Sequence, residues 1–221
     1  MTENDPAPRR GRPRNFDAGE VLQQVQDAFW KGGFEGTSIG DLTCATGLNR
    51  PSLYGAFGDK HALYVHALQQ YREGMHAAGC KILEDAPTLR TALEDLFRAA
   101  IRIYTDDEQA LGCFVSSTAP PEAVRDTSIR RELAATNDGL DEMFEARIAR
   151  AQADGEVCTA LPPEEAARIA SAVLHSLSVR ARAGASKRAL HALAQSAVDL
   201  LAKAPEPGSE PGGEPGSSEG G

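Results

Sequence analysis

Apolar residues recur at a spacing of 3.6 along almost the whole chain, and no stretch alternates with the period of a strand for long. A chain patterned this way buries its stripes by packing helix on helix, so an all-α fold is predicted. Phe16, Asp17 and Glu20 supply a staple residue, an N-cap and its capping-box partner for a first helix. Val21, Leu22, Val25, Ala28 and Phe29 line one face of it, and Gly32-Gly33 end it. Ser38, with Asp41 three residues on, opens a second short helix that stops at Gly47. Asn49 caps a third, which tolerates Pro51 in its first turn and stops near Gly58. Asp59 opens a fourth that carries Leu63, Ala67, Leu68 and Tyr71 inward.

Beyond Ala86-Pro87 the stripes lengthen. Leu89 to Tyr104 forms one, a short piece around Gly112 to Thr118 is expected to end at Pro120-Pro121, and Ile129 to Ile148 forms a long one broken at Gly155. Ala166 to Leu177 and Leu190 to Leu201 are the last two. Four segments follow: a flexible basic arm over 1–15, a small helical head over 16–64, a larger helical body over 65–203 and a disordered acidic tail over 204–221. The boundary between head and body falls within the fourth helix. The tail is Pro, Gly, Ser and Glu, which cannot bury enough apolar surface to fold.

With 221 residues, 41% of them hydrophobic and 25% charged, the chain can bury a core, and no apolar run approaches the ~18 to 20 residues of a membrane span. The amino terminus has arginines but no apolar segment behind them, so a cytoplasmic location is expected. Cys44, Cys80, Cys113 and Cys158 are too widely spaced for a zinc pair, and His76 with Cys80 lacks a second pair of ligands; no metal or cofactor is expected. The motifs H-E-x-x-H and G-x-x-x-x-G-K are missing from the sequence, which argues against an enzyme.

The formal net charge of −9 argues at first against nucleic acid. Residues 1–60 nevertheless hold 7 Lys+Arg against 8 Asp+Glu, and Arg9, Arg10, Arg12 and Arg14 fall together. A phosphate backbone responds to such a local patch rather than to the average. The two short helices joined by Gly47-Leu48-Asn49 make a helix-turn-helix, the unit that lays its second helix in the major groove. Ile39, Leu42, Leu48, Leu53 and Phe57 can pack inward, which leaves Arg50, Ser52 and Tyr54 outside, with Pro51 beside them. Arg50 suits the O6 and N7 acceptors of guanine. Thr37, Ser38, Ser52, Tyr54 and Lys60 suit phosphate, which positions without reading sequence.

Gly36-Thr37-Ser38, Asp41-Leu42, Gly47, Ser52-Leu53-Tyr54, Phe57, Lys60 and Leu63 together resemble the signature of TetR-family transcriptional regulators over residues 16 to 64. The resemblance implies a homodimer on a palindromic double-stranded operator and a helical sensor domain behind the reader. It further implies repression relieved by a small molecule, with Tyr54 and Lys60 on phosphate. Gly55-Ala56 departs from the aromatic or histidine residues of many relatives, which shifts weight to Arg50. The arm Arg9-Arg10-Gly11-Arg12-Pro13-Arg14 resembles hooks that enter a narrow minor groove; a solvated basic terminus is the alternative.

The resemblance also places dimerisation on the last two helices, where Ala170, Ser171, Ala194 and Ala197 allow close approach. Phe97, Tyr104, Phe114, Met143, Phe144 and His175 are candidate walls of an effector pocket, with ordinary core packing as the alternative for each. With so few polar residues among them, a mostly apolar effector fits. Cys113 follows Gly112 at a helix start, where a thiolate is favoured. Some relatives carry a Gly-Cys pair here that senses electrophiles or oxidants, so a redox switch stands beside the reading of Cys113 as a small buried residue.

Overall fold

The computed structural model describes residues 16–106, 109–157 and 161–204. Among the described residues the chain forms α1 (Ala18–Gly36), α2 (Ile39–Thr46), α3 (Arg50–Phe57), α4 (Lys60–Asp85), α5 (Leu89–Thr105), α6 (Phe114–Ala123), α7 (Thr127–Ala153), α8 (Pro163–Arg182) and α9 (Lys187–Leu201), with no strand. The basic arm and residues 205–221 of the tail lie outside them.

Local chemistry sets the ends of the head helices. Asp17 caps α1 by accepting from the amides of Gly19 and Glu20, while the reciprocal Glu20 bond does not form. Gly33 breaks the helix with φ 70 and ψ 174, and one further turn runs on to Gly36. At α2 the capping box is complete: the Ser38 hydroxyl oxygen accepts from the Asp41 amide, and Asp41 accepts from the Ser38 amide. The hydroxyl of Ser38, first among the causes, and its amide hold the Asp41 carboxyl below its ordinary pKa. Gly47, left-handed at φ 65, turns the chain, and Asn49 caps α3 through the Ser52 amide.

Two apolar clusters divide the molecule. One joins α5, α8 and α9 to the far end of α4 and the second half of α7. The other takes in α1, α2, α3 and the near half of α4, but also Phe114, Val115, Ala119 and Ala123 of α6 and Ile129 of α7. The head thus shares its core with α6. That shared core explains a difference from the sequence reading: α6 does not stop at Pro120-Pro121 but runs through both to Ala123. Each proline removes a helix donor, yet Phe114, Val115, Thr118 and Ala119 are buried against neighbouring helices, and Thr118 is hydrogen-bonded to Tyr64 at 2.7 Å. Tertiary packing outweighs the local penalty there.

Candidate nucleic-acid interface and effector cavity

Leu42 and Leu53 are fully buried and Phe57 nearly so, so α3 is fixed by one face. The other face carries Arg50, Pro51 and Ser52, all exposed, and Tyr54, half-buried. Arg50 and Tyr54 are spaced i, i+4 and so stand one above the other on one flank of α3. The Arg50 guanidinium lies 5.0 Å from the Tyr54 ring centroid. That stack holds the guanidinium in place while its fork of donors stays outermost. Lys60 opens α4 with its ammonium 4.5 Å from the Phe34 ring centroid, beside an N-cap made by Asp59. Ser38 is exposed but spends its hydroxyl on the Asp41 carboxylate at 2.7 Å.

Thr37 requires a correction. It is only 3% exposed, and its hydroxyl donates to the Gly33 carbonyl at 2.8 Å with the Ala28 carbonyl at 3.3 Å. A Cβ on Gly32 would come within 2.5 Å of that hydroxyl oxygen. Thr37 therefore fastens the α1–α2 corner rather than offering a donor to phosphate. Arg9, Arg10, Arg12 and Arg14 lie outside the described residues.

Behind the head, α4, α5 and α7 enclose a cavity of about 530 Å³ that also reaches Cys113 and Leu174 of α8. Of the pocket residues expected from sequence, Tyr104, Cys113 and Met143 line it. Phe97 and Phe144 do not: they are fully buried and pack on each other at 6.3 Å between ring centroids, which is core packing. Phe114 faces the head instead, its ring 5.9 Å from Trp30 and 6.0 Å from Tyr64. His175 also lies off the cavity wall; burial lowers its pKa, opposed by the nearby Asp141.

The sequence reading missed Tyr71, Met75, Gly79 and Ile82, one continuous stripe of α4 on the cavity wall. The signal was present, since these positions extend the spacing of Leu63, Ala67 and Tyr71. The far end of the Met143 side chain lies over Gly79, where a Cβ would sit 2.6 Å from its sulfur. Of the charged residues of the lining, Arg102, Asp138 and Glu142 are exposed and Arg72 is half-buried. Burial pushes the phenol pKa values of Tyr71 and Tyr104 well above normal, so both remain neutral donors.

Head and cavity are joined through aromatic rings. Tyr71, on the cavity wall, lies 5.6 Å from Phe114; Phe114 lies 6.0 Å from Tyr64, and Tyr64 5.0 Å from Phe34, over which Lys60 sits. A second tie links the first turn of α4 to α7: His61 Nε2 is 2.8 Å from Asp126 Oδ2 and 3.1 Å from the Ser128 hydroxyl.

This geometry is that of a helix-turn-helix protein whose recognition helix is outermost and whose helical body encloses a pocket. The sequence model for bacterial regulatory proteins of the tetR family matches residues 26–67, and that for the tetracyclin repressor-like C-terminal domain matches residues 90–197. The chain is 31% identical over 147 residues to the HTH-type transcriptional regulator YezE of Bacillus subtilis, covering 66% of this chain and 76% of that one. It is 27% identical over 192 residues to the transcriptional repressor ComR of Escherichia coli, covering 86% and 91%. Among solved structures, the TetR-family regulator CifR, a cysteine mutant complexed with a 26bp operator DNA, superposes with a TM-score of 0.75 at 34% identity over 85% of this chain and 98% of that one. The chain belongs to the TetR family of DNA-binding transcriptional regulators.

Proposed function

We propose that the chain is a homodimeric repressor of a palindromic operator, released when a small, mostly apolar effector fills the cavity between α4, α5 and α7. The single observation that carries this reading is the outward face of α3. Arg50 and Ser52 are exposed there, with Arg50 braced on Tyr54, while the opposite face is buried. Arg50 reads a base edge, and Ser52, Tyr54 and Lys60 hold phosphates. The repressor name of ComR supports the direction of control, and the operator complex of CifR supports double-stranded DNA as the partner. The exposed small and apolar stripes of α8 and α9 supply the two-fold contact that gives the operator its symmetry.

Effector occupancy pushes on Tyr71 and hence on Phe114 and Tyr64, and a shift of α4 then takes both reading heads out of register with their half-sites. A gel-shift titration against the promoter regions of the source genome, with and without candidate effectors, tests it. A sequence-specific complex dissolved by an effector is expected, and failure to shift any fragment at low ionic strength would sink the proposal.

A second reading has its own observation: the Cys113 thiol lines the cavity, where an electrophile or oxidant entering it would meet sulfur. Under that reading Cys113→Ser abolishes release by such reagents. Under the apolar-effector reading the same variant keeps release intact.

A further inference from the structure

The Tyr71 phenol is 8% exposed and lines the cavity, yet its hydroxyl has no hydrogen-bond partner. Cys113 and the Phe114 amide are its near neighbours, but neither reaches bonding geometry. A buried hydroxyl left without a partner is costly, and natural proteins seldom keep one without a use. Arg72 Nε of the same lining also lacks a hydrogen bond, but it lies 3.4 Å from the Glu132 carboxylate and so has a counter-ion. Arg72 faces Glu132 and Glu73, Thr136 donates to the Glu132 carbonyl, and Arg102, Asp138 and Glu142 are exposed. In the apolar wall the Tyr71 hydroxyl is thus a neutral donor with neither a hydrogen-bond partner nor a counter-ion, and Tyr104 and Cys113 stand beside it.

We infer that the effector is an apolar molecule bearing an oxygen acceptor, a ketone or a chemically equivalent carbonyl, whose oxygen accepts a hydrogen bond from Tyr71 Oη. The inference rests on the cavity being the effector site and adds the chemical class of its occupant. It also gives the ligand a grip on the ring that touches Phe114, 5.6 Å away, and so on the route to the head. A hydrocarbon of the same shape fills the volume but leaves the phenol unpaired.

The probes are 2-acetylnaphthalene and 2-isopropenylnaphthalene, matched in shape with a methylene in place of the carbonyl oxygen, titrated calorimetrically into the full-length protein. The ketone is expected to bind about two- to tenfold more tightly than the hydrocarbon, the worth of one hydrogen bond. Tyr71→Phe is expected to remove that difference and leave the hydrocarbon affinity unchanged. Its unliganded melting temperature should equal or exceed that of the wild type, because no bond is lost. Equal affinities in the wild type would overturn the carbonyl preference while leaving the cavity reading standing. A ketone preference that survives Tyr71→Phe would also overturn it, since the bond is then made elsewhere; Tyr104→Phe locates that donor. Binding of neither probe would remove the cavity reading and this inference together.

Discussion

Arg50 and Lys60 make opposite demands on DNA although both are cations. The guanidinium offers a planar fork that pairs bidentately with a base edge, and stacking on Tyr54 limits the orientations it must give up on binding. Arg50→Ala should cost about 1 to 3 kcal/mol on the operator and relax base preference, and Arg50→Lys should restore charge without restoring discrimination. Lys60→Ala should weaken specific and random DNA alike and reduce the salt slope by about 1, read from fluorescence anisotropy across ionic strengths. Thr37 belongs to a different class. Thr37→Val removes an internal hydrogen bond and should lower stability by about 1 kcal/mol in denaturant melts with the salt slope unchanged. Sequence spacing placed Thr37 next to the reading surface but gave no sign of which way its hydroxyl turned, because that depends on how closely Gly32 lets the chain fold back. The exposure of Arg50 and Ser52 was legible, since Leu53 and Phe57, spaced i, i+4, set the buried face of α3.

The helices themselves were legible where caps and stripes agree, as at Ser38, Asn49 and Asp59, and illegible where tertiary contacts override local preference, as at Pro120 and Pro121. The joint between α4 and α7 was likewise invisible in sequence, because His61 and Asp126 lie far apart in the chain. Asp126 caps α7 through the amides of Ser128 and Ile129. Its pKa is lowered to about 2 by the Ser128 hydroxyl first, then by the Ile129 amide and by His61, against its own partial burial. A carboxyl whose pKa falls on folding binds its proton more readily in the unfolded chain. Its contribution is therefore fully present above about pH 4 and is lost as pH falls towards 2. Asp126→Asn keeps a capping oxygen but cannot titrate. Urea melts of the two proteins should run parallel above pH 5, with the wild type losing stability more steeply between pH 4 and 2. Parallel loss over the whole range would show that Asp126 contributes nothing to the joint.

At the level of the whole molecule, the cavity has walls drawn from Tyr71, Tyr104 and Met143, which sit on three helices, so no single stripe announces it. Sequence periodicity marks a residue as inward; whether it meets a core neighbour or a void is decided by how α4, α5 and α7 diverge. Phe97 and Phe144, for which both readings stood open in sequence, take the core-packing one for this reason. The same periodicity bears on assembly, although Ala170, Ser171, Ala194 and Ala197, expected to let two subunits approach closely, are buried within the subunit instead. Leu174 and Leu177 of α8 and Leu190 and Val198 of α9 are buried, whereas Ala172 and Val179 on α8 and Ala189, Ala192 and Leu200 on α9 are exposed. Val179 and Leu200 are 61% and 63% exposed, two of the three large apolar side chains left so open among the described residues. Small residues around them let a second pair of helices approach closely, as in a four-helix bundle. A two-fold contact uses the same patch on both subunits, so one substitution introduces two charges into the interface. Val179→Glu combined with Leu200→Glu should convert the dimer to monomer in sedimentation while leaving helical circular dichroism unchanged. Operator affinity should then fall far more than affinity for random DNA, because a palindrome rewards two linked heads and a monomer brings one. A double variant that still sediments as a dimer would move the interface away from α8 and α9.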